Sequence, residues 1–190
     1  RLPVHVTQAL RDPEAPDAGM PRNMTGIGHV LRRAGYATHQ VGKWDAGMAT
    51  PTHTPHGRGF DTSLGYFGHK NDFWTKGIMQ SECLAPAGGA FANLTDLWDT
   101  SRPASRALLD GGEYEEAIFR DRALAIVRRH NVRALPPLFF WTASSSRLTR
   151  TPLPLWRQVS APLFLLYTPH VAHCPLQAPP SYIARFAPLT

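Results

Sequence analysis

The sequence predicts an α/β fold, because segments with helical and strand-like patterns alternate along its 190 residues. Residues 23–34 carry apolar side chains at helical spacing, and the strand-like run 36–41 follows directly. Residues 113–130 form a second helical pattern, and the continuous apolar run 162–168 lies further along the chain. This order is typical of a layered sheet with flanking helices. The stretches rich in Gly and Pro between these elements predict long loops.

The first helix–strand unit has recognisable ends. Asn23 or Thr25 is predicted to cap the helix, which ends at Gly35. The apolar stripe of this helix consists of Ile27, Val30, Leu31 and Ala34. The strand 36–41 follows, and the glycine-flanked Lys43 is predicted to lie on a tight turn at its end.

The later elements are separated by a long loop-dominated region, residues 45–112. Residues 113–130 are acidic at their start and basic at their end, as expected of a helix. The apolar face of this helix is predicted to contain Phe119, Ala123, Ile126 and Val127. The apolar run 162–168 is predicted to be a strand buried on both faces, and 182–186 a further short helix.

Composition limits the function classes. An apolar content of 43% is that of a globular protein, and the net charge of +6 favours anionic substrates or simply a solvated surface. The sequence contains no dense basic run and no apolar run of about 20 residues, so it predicts neither nucleic-acid binding nor a membrane span. Cys83 and Cys174 form no metal or disulfide pattern and are predicted to be unrelated free thiols.

Candidate functional residues follow two predicted strands. Lys43 comes after the first strand, and His170 and His173 come after the strand at 162–168. In open α/β sheets, ligands bind beyond the carboxyl ends of the strands. If these two strands are neighbours, an ammonium group and one or two imidazoles converge on one crevice, where they suit the oxygens of a sulfate or phosphate ester.

Several motifs in order resemble those of the type I sulfatases, most closely the arylsulfatase B-like group. The stretch 42–47 (GKWDAG) resembles the family's G-K-W-H-x-G element, and 31–38 resembles the helix and strand that precede it. The stretch 57–61 (GRGFD) resembles the segment that follows, and 173–177 (HCPLQ) resembles the family's H-x-P-L-Q element. The resemblance covers most of residues 1–130 and 161–186.

The resemblance implies a sulfuric ester hydrolase with a partial alkaline-phosphatase-like fold. Members of this family use a formylglycine made from the cysteine of a C-x-P-S-R element, together with a calcium ion held by Asp and Asn residues. By motif match, Lys43 and His173 stand where the family has the lysine and histidine that contact sulfate. The substrate is then a sulfate ester, with sulfated carbohydrate among the candidates.

The chain departs from the family pattern in the elements that supply the nucleophile and the metal. The sequence contains no C-x-P-S-R element, no paired aspartates near its start and no Asp-Asn-Gly element. We therefore expect an internal fragment that is inactive by itself. Asp45 stands where the family usually has histidine, and a carboxylate beside bound sulfate repels it by about 4 kcal/mol at about 4 Å. Alternatively, the Asp45 side chain is turned away from the sulfate, is protonated, or is bound to a cation.

The resemblance also predicts the domain organisation. Residues 1–130 are predicted to be the central part of a sulfatase-like catalytic domain, and 161–190 its continuation. Residues 131–160 have no period and are interpreted as an insertion or a disordered loop. The alternatives to a sulfatase fragment are a non-catalytic relative that binds sulfated glycans or a protein partner, and a phosphate or phosphonate ester hydrolase of the same superfamily.

Two N-x-T triplets, at Asn23 and Asn93, are possible N-glycosylation sites and favour a secretory route. The family resemblance likewise implies a secreted or lysosomal glycoprotein.

Overall fold

A five-stranded mixed sheet organises the computed structural model, which describes residues 19–78, 95–110, 112–130 and 161–186. The strands are β1 (Ala37–Lys43), β2 (Thr62–Tyr66), β3 (Trp98–Asp99), β4 (Arg102–Pro103) and β5 (Leu163–Thr168). Their order across the sheet is β4-β3-β2-β1-β5. β1 runs parallel to both β2 and β5, whereas β3 and β4 are antiparallel additions beside β2. The predicted α/β class is confirmed.

Within the described ranges, four α-helices accompany the sheet: α1 (Ile27–Arg33), α2 (Arg106–Asp110), α3 (Glu115–Arg129) and α4 (Pro180–Ile183). Two short 3₁₀ turns, Pro51–His53 and His56–Arg58, lie in the connection between β1 and β2. α1 and α3 match the helices predicted from periodicity. α4 begins two residues before the predicted short helix at 182–186, and it ends three residues before the predicted end.

The predicted cap and apolar stripe of α1 are wrong. Gly26 occupies the N-cap position, with no side-chain cap, so neither Asn23 nor Thr25 has that role. Ile27 and Val30 are about half exposed, and the buried residue of the helix is Gly28. A Cβ on Gly28 would lie 2.7 Å from the Arg58 carbonyl oxygen, so the helix contacts the 3₁₀ region through its backbone instead. Close backbone contact has replaced the apolar face.

β5 is only partly buried, contrary to the prediction that both its faces are covered. Its residues have intermediate exposure, and Tyr167 is 40% exposed. The reason is its position at one edge of the described sheet, next to β1 alone. β1, which has strands on both sides, is more deeply buried and contributes the fully buried Val41.

The main core lies between the sheet and α3. Its buried residues are Val41, Leu64, Tyr66, Leu97, Ala104, Ile118 and Phe119. Of the predicted apolar face of α3, Phe119 is buried and Ile126 packs against this core, but Val127 is 52% exposed. Ile118, which was not part of the predicted face, is buried in this core, and the buried residues of the helix all lie in its first two turns.

Several sequence predictions fall outside the described residues. These are the insertion or disordered loop at 131–160, the thiol of Cys83 and the acceptor site at Asn93. Cys174 is a free, exposed thiol. Among the described residues, none of the helices is both long enough and apolar enough to cross a bilayer.

Candidate functional site

The carboxyl ends of three parallel strands meet at one edge of the sheet. β1 and β5 pair directly, with Gly42 opposite Thr168, so the two strands that precede Lys43 and His173 are neighbours. β2 lies on the other side of β1, with Tyr66 opposite Lys43. The loops that follow these strands therefore share one space, which is the location expected for ligands in such a sheet.

Gly42 permits the close approach of the strands at this edge. It has φ of +104°, a conformation that L side chains rarely adopt, and a Cβ there would collide with the Thr168 carbonyl oxygen. The Thr168 hydroxyl donates to the Lys43 carbonyl oxygen at 2.6 Å, which joins the end of β5 to the end of β1. Lys43 is the last residue of β1, not part of a turn after it.

Lys43, Asp45 and His69 form a triangle of contacts. The Lys43 ammonium lies 3.2 Å from Asp45 Oδ2, and His69 Nδ1 lies 3.0 Å from the same oxygen. The Lys43 nitrogen is also 3.2 Å from His69 Nδ1. The Asp45 carboxylate only accepts hydrogen bonds and the Lys43 ammonium only donates them. His69 Nδ1 therefore donates to Asp45 when it carries the hydrogen and accepts from Lys43 when it does not. All three side chains are between a fifth and a third exposed, so the triangle faces solvent.

The Asp45 carboxylate pairs with the Lys43 ammonium group. Pairing with a cation was one of the alternatives left open by the sequence. Its backbone has φ of +51°, a left-handed conformation that Asp tolerates better than most residues. This conformation places the carboxylate between the Lys43 ammonium and the His69 imidazole. The negative charge is therefore compensated locally, and the repulsion calculated for an isolated carboxylate is an overestimate.

His173 lies beside this triangle. Its ring meets the His69 ring edge to face, with centroids 5.3 Å apart. His173 Nδ1 is 2.7 Å from the Cys174 carbonyl oxygen, so this nitrogen is also a donor. Within the described part of the chain, Nε2 of neither histidine has a hydrogen-bond partner. Lys43 and His173, which the sequence nominated together, thus meet through His69.

His170 does not join this cluster, although the sequence nominated it as well. It is buried, with Nδ1 3.0 Å from Glu116 Oε1 and Nε2 2.6 Å from Asn71 Oδ1. Its ring stacks on that of Tyr66 at a centroid distance of 4.3 Å. Burial lowers the pKa of His170, against the opposing effect of Glu116. His170 is a structural residue that ties the loop after β5 to the loop after β2.

Glu115 completes the buried network around His170. Burial raises the pKa of Glu115 to about 9, despite a hydrogen bond from the Asn71 amide that favours ionisation. The amide nitrogen of Asn71 donates to Oε2 of Glu115 at 3.1 Å, and His170 Nε2 lies 3.2 Å from that oxygen. Burial thus favours the protonated, uncharged form of Glu115.

The Asp96 carboxylate stabilises the backbone of the loop that carries His69. The Asp96 carboxylate accepts the backbone N–H of Phe67 at 3.0 Å and that of Gly68 at 2.7 Å. Burial raises the pKa of Asp96, and these two bonds oppose the rise. The two residues before His69 are thus fixed, and the imidazole projects from a constrained backbone.

Gln177, the last residue of the HCPLQ stretch, has a structural role. Its amide nitrogen donates to Asp72 Oδ2 at 2.6 Å, and its amide oxygen accepts the Phe73 N–H at 2.8 Å. Its carbonyl oxygen accepts the Tyr114 hydroxyl at 2.9 Å. The segment that carries His173 is therefore attached to the same loop that carries His69.

The GRGFD stretch is structural too. The Arg58 guanidinium is buried and donates to the carbonyl oxygens of Met20 and Pro21 at 2.7 and 2.8 Å. The Asp61 carboxylate accepts the Thr38 N–H at 2.9 Å, which joins the start of β2 to β1. This motif builds the region that supports β1 and contributes no side chain to the triangle.

The side chains near Lys43 do not fit a calcium ion. Calcium takes six to eight oxygen ligands, whereas this cluster has one carboxylate and three nitrogen groups. Throughout the described residues, no group of three or more His, Cys, Asp or Glu side chains is arranged to hold a metal. No catalytic step is assigned to a metal for this reason.

Sequence reasoning missed His69. Its position three residues after the end of β2 is a signal that could have found it, because β2 is parallel to β1 and its end faces the same edge.

Comparison with known proteins agrees with the motif order. A family model described as Sulfatase matches residues 4–188. Mouse arylsulfatase J is 25% identical over 167 residues, which cover 88% of this chain and 22% of that relative. Dog arylsulfatase G is 48% identical over 50 residues, 26% of this chain and 9% of that relative. The chain thus spans less than a quarter of the length of these curated relatives.

Solved structures share the fold. The crystal structure of Ps i-CgsB superposes with a TM-score of 0.63 at 20% identity, covering 98% of this chain and 35% of that one. Its complex with k-i-k-neocarrahexaose superposes with a TM-score of 0.62, also at 20% identity and with the same coverage. The architecture is that of the sulfatases, the alkaline-phosphatase-like fold.

Proposed function

Because the chain belongs to the sulfatase family, we propose that it forms part of a sulfuric ester hydrolase in which Lys43 and His173 contact the sulfate group. The observation that carries this proposal is the meeting of the two side chains around His69 at the carboxyl edge of β1 and β5. They belong to separate motifs about 130 residues apart in the chain. Their convergence is what a single anion site requires.

The chemistry of the cluster suits a sulfate ester. The Lys43 ammonium supplies a positive charge for a non-bridging oxygen, and a protonated His173 donates from Nε2 to a second oxygen. Donors that are held in place before the ester binds also stabilise charge that develops on the oxygens during bond cleavage. In members of the family, the formylglycine hydrate supplies the nucleophile.

We also propose that the 190-residue chain binds a sulfate ester without hydrolysing it. The support is that neither cysteine stands in a C-x-P-S-R element. The Asp45 carboxylate contacts Lys43 and His69 through Oδ2. Asp45 has a supporting role in the site.

For the substrate class, we favour a sulfated carbohydrate. The solved complex of Ps i-CgsB with k-i-k-neocarrahexaose provides an example in the same fold. The arylsulfatase relatives support a secreted or lysosomal location, and the exposed Asn23 in its N-x-T triplet is a proposed glycosylation site.

Binding and turnover are tested together with an aryl sulfate. Saturable binding of 4-nitrocatechol sulfate is measured by calorimetry, and release of 4-nitrocatechol is followed by absorbance. We expect the Lys43→Ala variant to bind roughly tenfold more weakly or worse, since a charge-assisted contact is lost. Lys70→Ala removes a nearby lysine outside the triangle and serves as the matched control. Equal affinity in both variants would contradict the site.

A non-catalytic sulfate-binding relative is the second candidate, favoured by the missing C-x-P-S-R element. Sequencing the full transcript separates the two. A C-x-P-S-R element encoded in frame with this chain supports the hydrolase, and its absence from the whole transcript supports the binding protein.

A further inference from the structure

We propose that His69 is a third anion-contacting group of the site and that Asp45 is the residue that positions it. The inference rests on the proposed sulfate site and extends it. An ester oxygen would then meet two imidazoles and one ammonium group, with the carboxylate behind them. Three features of His69 favour this role: its hydrogen bonds, the constrained backbone that carries it, and the charged groups around it.

The hydrogen bonds of the two histidines orient both rings in the same sense. His69 Nδ1 lies 3.0 Å from Asp45 Oδ2, and His173 Nδ1 donates to the Cys174 carbonyl oxygen at 2.7 Å. In each ring Nε2 remains for a ligand, with no partner among the residues that the structure describes. The rings lie 5.3 Å apart, edge to face, so both Nε2 atoms belong to one small region.

His69 is held more firmly than an ordinary loop side chain. The Asp96 carboxylate binds the N–H groups of Phe67 and Gly68, immediately before it. Asn71, two residues after it, is buried and lies 2.6 Å from His170. A donor on such a constrained backbone loses little freedom when the ligand binds, which is the condition for an effective anion contact.

The charges of the cluster explain why the imidazoles matter. Lys43 and Asp45 compensate each other across 3.2 Å, so their pair carries no net charge. The Lys43 charge is therefore shared with Asp45, and the imidazole nitrogens without a partner among the described residues supply further donors to an anion when they carry a hydrogen.

The carboxylate of Asp45 has two possible effects on a bound anion, and they have opposite signs. If it only repels the anion, its removal strengthens binding. If it orients His69, its removal weakens binding, and the weakening requires His69. A double-mutant cycle on the two residues separates these effects.

The test measures the affinity of the 190-residue chain for inorganic sulfate by calorimetry. Variants are His69→Gln, Asp45→Asn and both together, with Lys70→Gln as the matched control beside His69. We expect His69→Gln to weaken binding about fivefold, the effect of one hydrogen bond to an anion at a partly exposed site. Asp45→Asn is expected to weaken binding only when His69 is present.

Two results overturn the inference while leaving the sulfate site intact. One is that His69→Gln binds sulfate like the unmodified chain although Lys43→Ala does not. The other is that Asp45→Asn strengthens binding equally with and without His69. If Lys43→Ala and the unmodified chain bind sulfate equally, the proposed function itself fails and the role of His69 fails with it. Imidazole ¹⁵N shifts identify each variant in which the Asp45–His69 hydrogen bond is retained.

Discussion

Asn71 Oδ1 lies 2.6 Å from Nε2 of His170, and this contact joins the two loops that bring His69 and His173 together. Asn71 follows β2 and His170 follows β5, and these strands lie on opposite sides of β1. The contact therefore spans the end of β1, where Lys43 is located. This buried hydrogen bond thus helps to determine the distance between the imidazoles of His69 and His173.

Removal of the Asn71 side chain should loosen both loops. We expect Asn71→Ala to lower the free energy of unfolding by about 1–3 kcal/mol, because His170 and Glu115 lose a buried partner. We also expect weaker sulfate binding. Urea denaturation and calorimetry measure the two effects. Asn23→Ala, at an exposed position, is the control and should change neither; an unchanged stability in Asn71→Ala would argue against the tie.

Glu115 should make stability fall as pH rises. Its pKa is about 9 in the folded chain against an ordinary value of 4.5, so folding takes up a proton between these two pH values. The unfolded state binds fewer protons there, and the free energy of unfolding decreases by about 1 kcal/mol per pH unit. Below about pH 4.5 both states are protonated, and the contribution of Glu115 is fully present.

The variant Glu115→Gln provides the test, since an amide, like the neutral acid, is uncharged and offers both a donor group and an acceptor oxygen. We expect stability close to that of the unmodified chain near pH 5 and a flatter profile up to about pH 8.5. Urea midpoints across this range measure it. Glu113→Gln changes an exposed acid nearby and should keep the original slope. If both variants keep that slope, Glu115 is ionised in the folded chain.

Gly42 should tolerate no side chain. A Cβ there meets the Thr168 carbonyl oxygen and requires φ of +104°, so Gly42→Ala is expected to cost about 3 kcal/mol or more. Gly35→Ala is the matched control. Gly35 also has positive φ, +88°, but no atom lies within 4 Å of the added Cβ, so only the backbone effect of about 1 kcal/mol remains. Thermal or urea unfolding of the two variants compares them; equal losses would mean that the β1–β5 approach is not tight.

Arg58 should be needed for the segment before α1. Arg58→Met keeps most of the side-chain volume but leaves the carbonyl oxygens of Met20 and Pro21 without their donor. We expect a loss of about 2–4 kcal/mol in stability and faster proteolysis near residue 21. Arg32→Met, at an exposed position in the last turn of α1, should cost less than about 0.5 kcal/mol. Limited proteolysis followed by mass spectrometry locates the cleavage, and protection at residue 21 in Arg58→Met would refute this role.

Much of the architecture could be predicted because local patterns determine it. The helical spacing in 113–130 and the apolar run at 162–168 predict α3 and β5 with small errors at the ends. The order of the motifs predicts the family. Lys43 and His173 were nominated because each was predicted to follow a strand, and the ends of parallel strands share one edge.

The sequence by itself therefore determined the fold class and the family and nominated Lys43 and His173, since each of these depends on motifs that are local in the chain. Tertiary structure alone decided that His69 enters the cluster and that His170 is buried beneath it, because both outcomes depend on contacts with distant residues, Asp45 and Asn71. It also decided that Asp45 faces a cation, since pairing depends on a left-handed backbone and on the Lys43 ammonium beside it. The strand order placed β5 at an edge of the described sheet, which no apolar run of residues reveals.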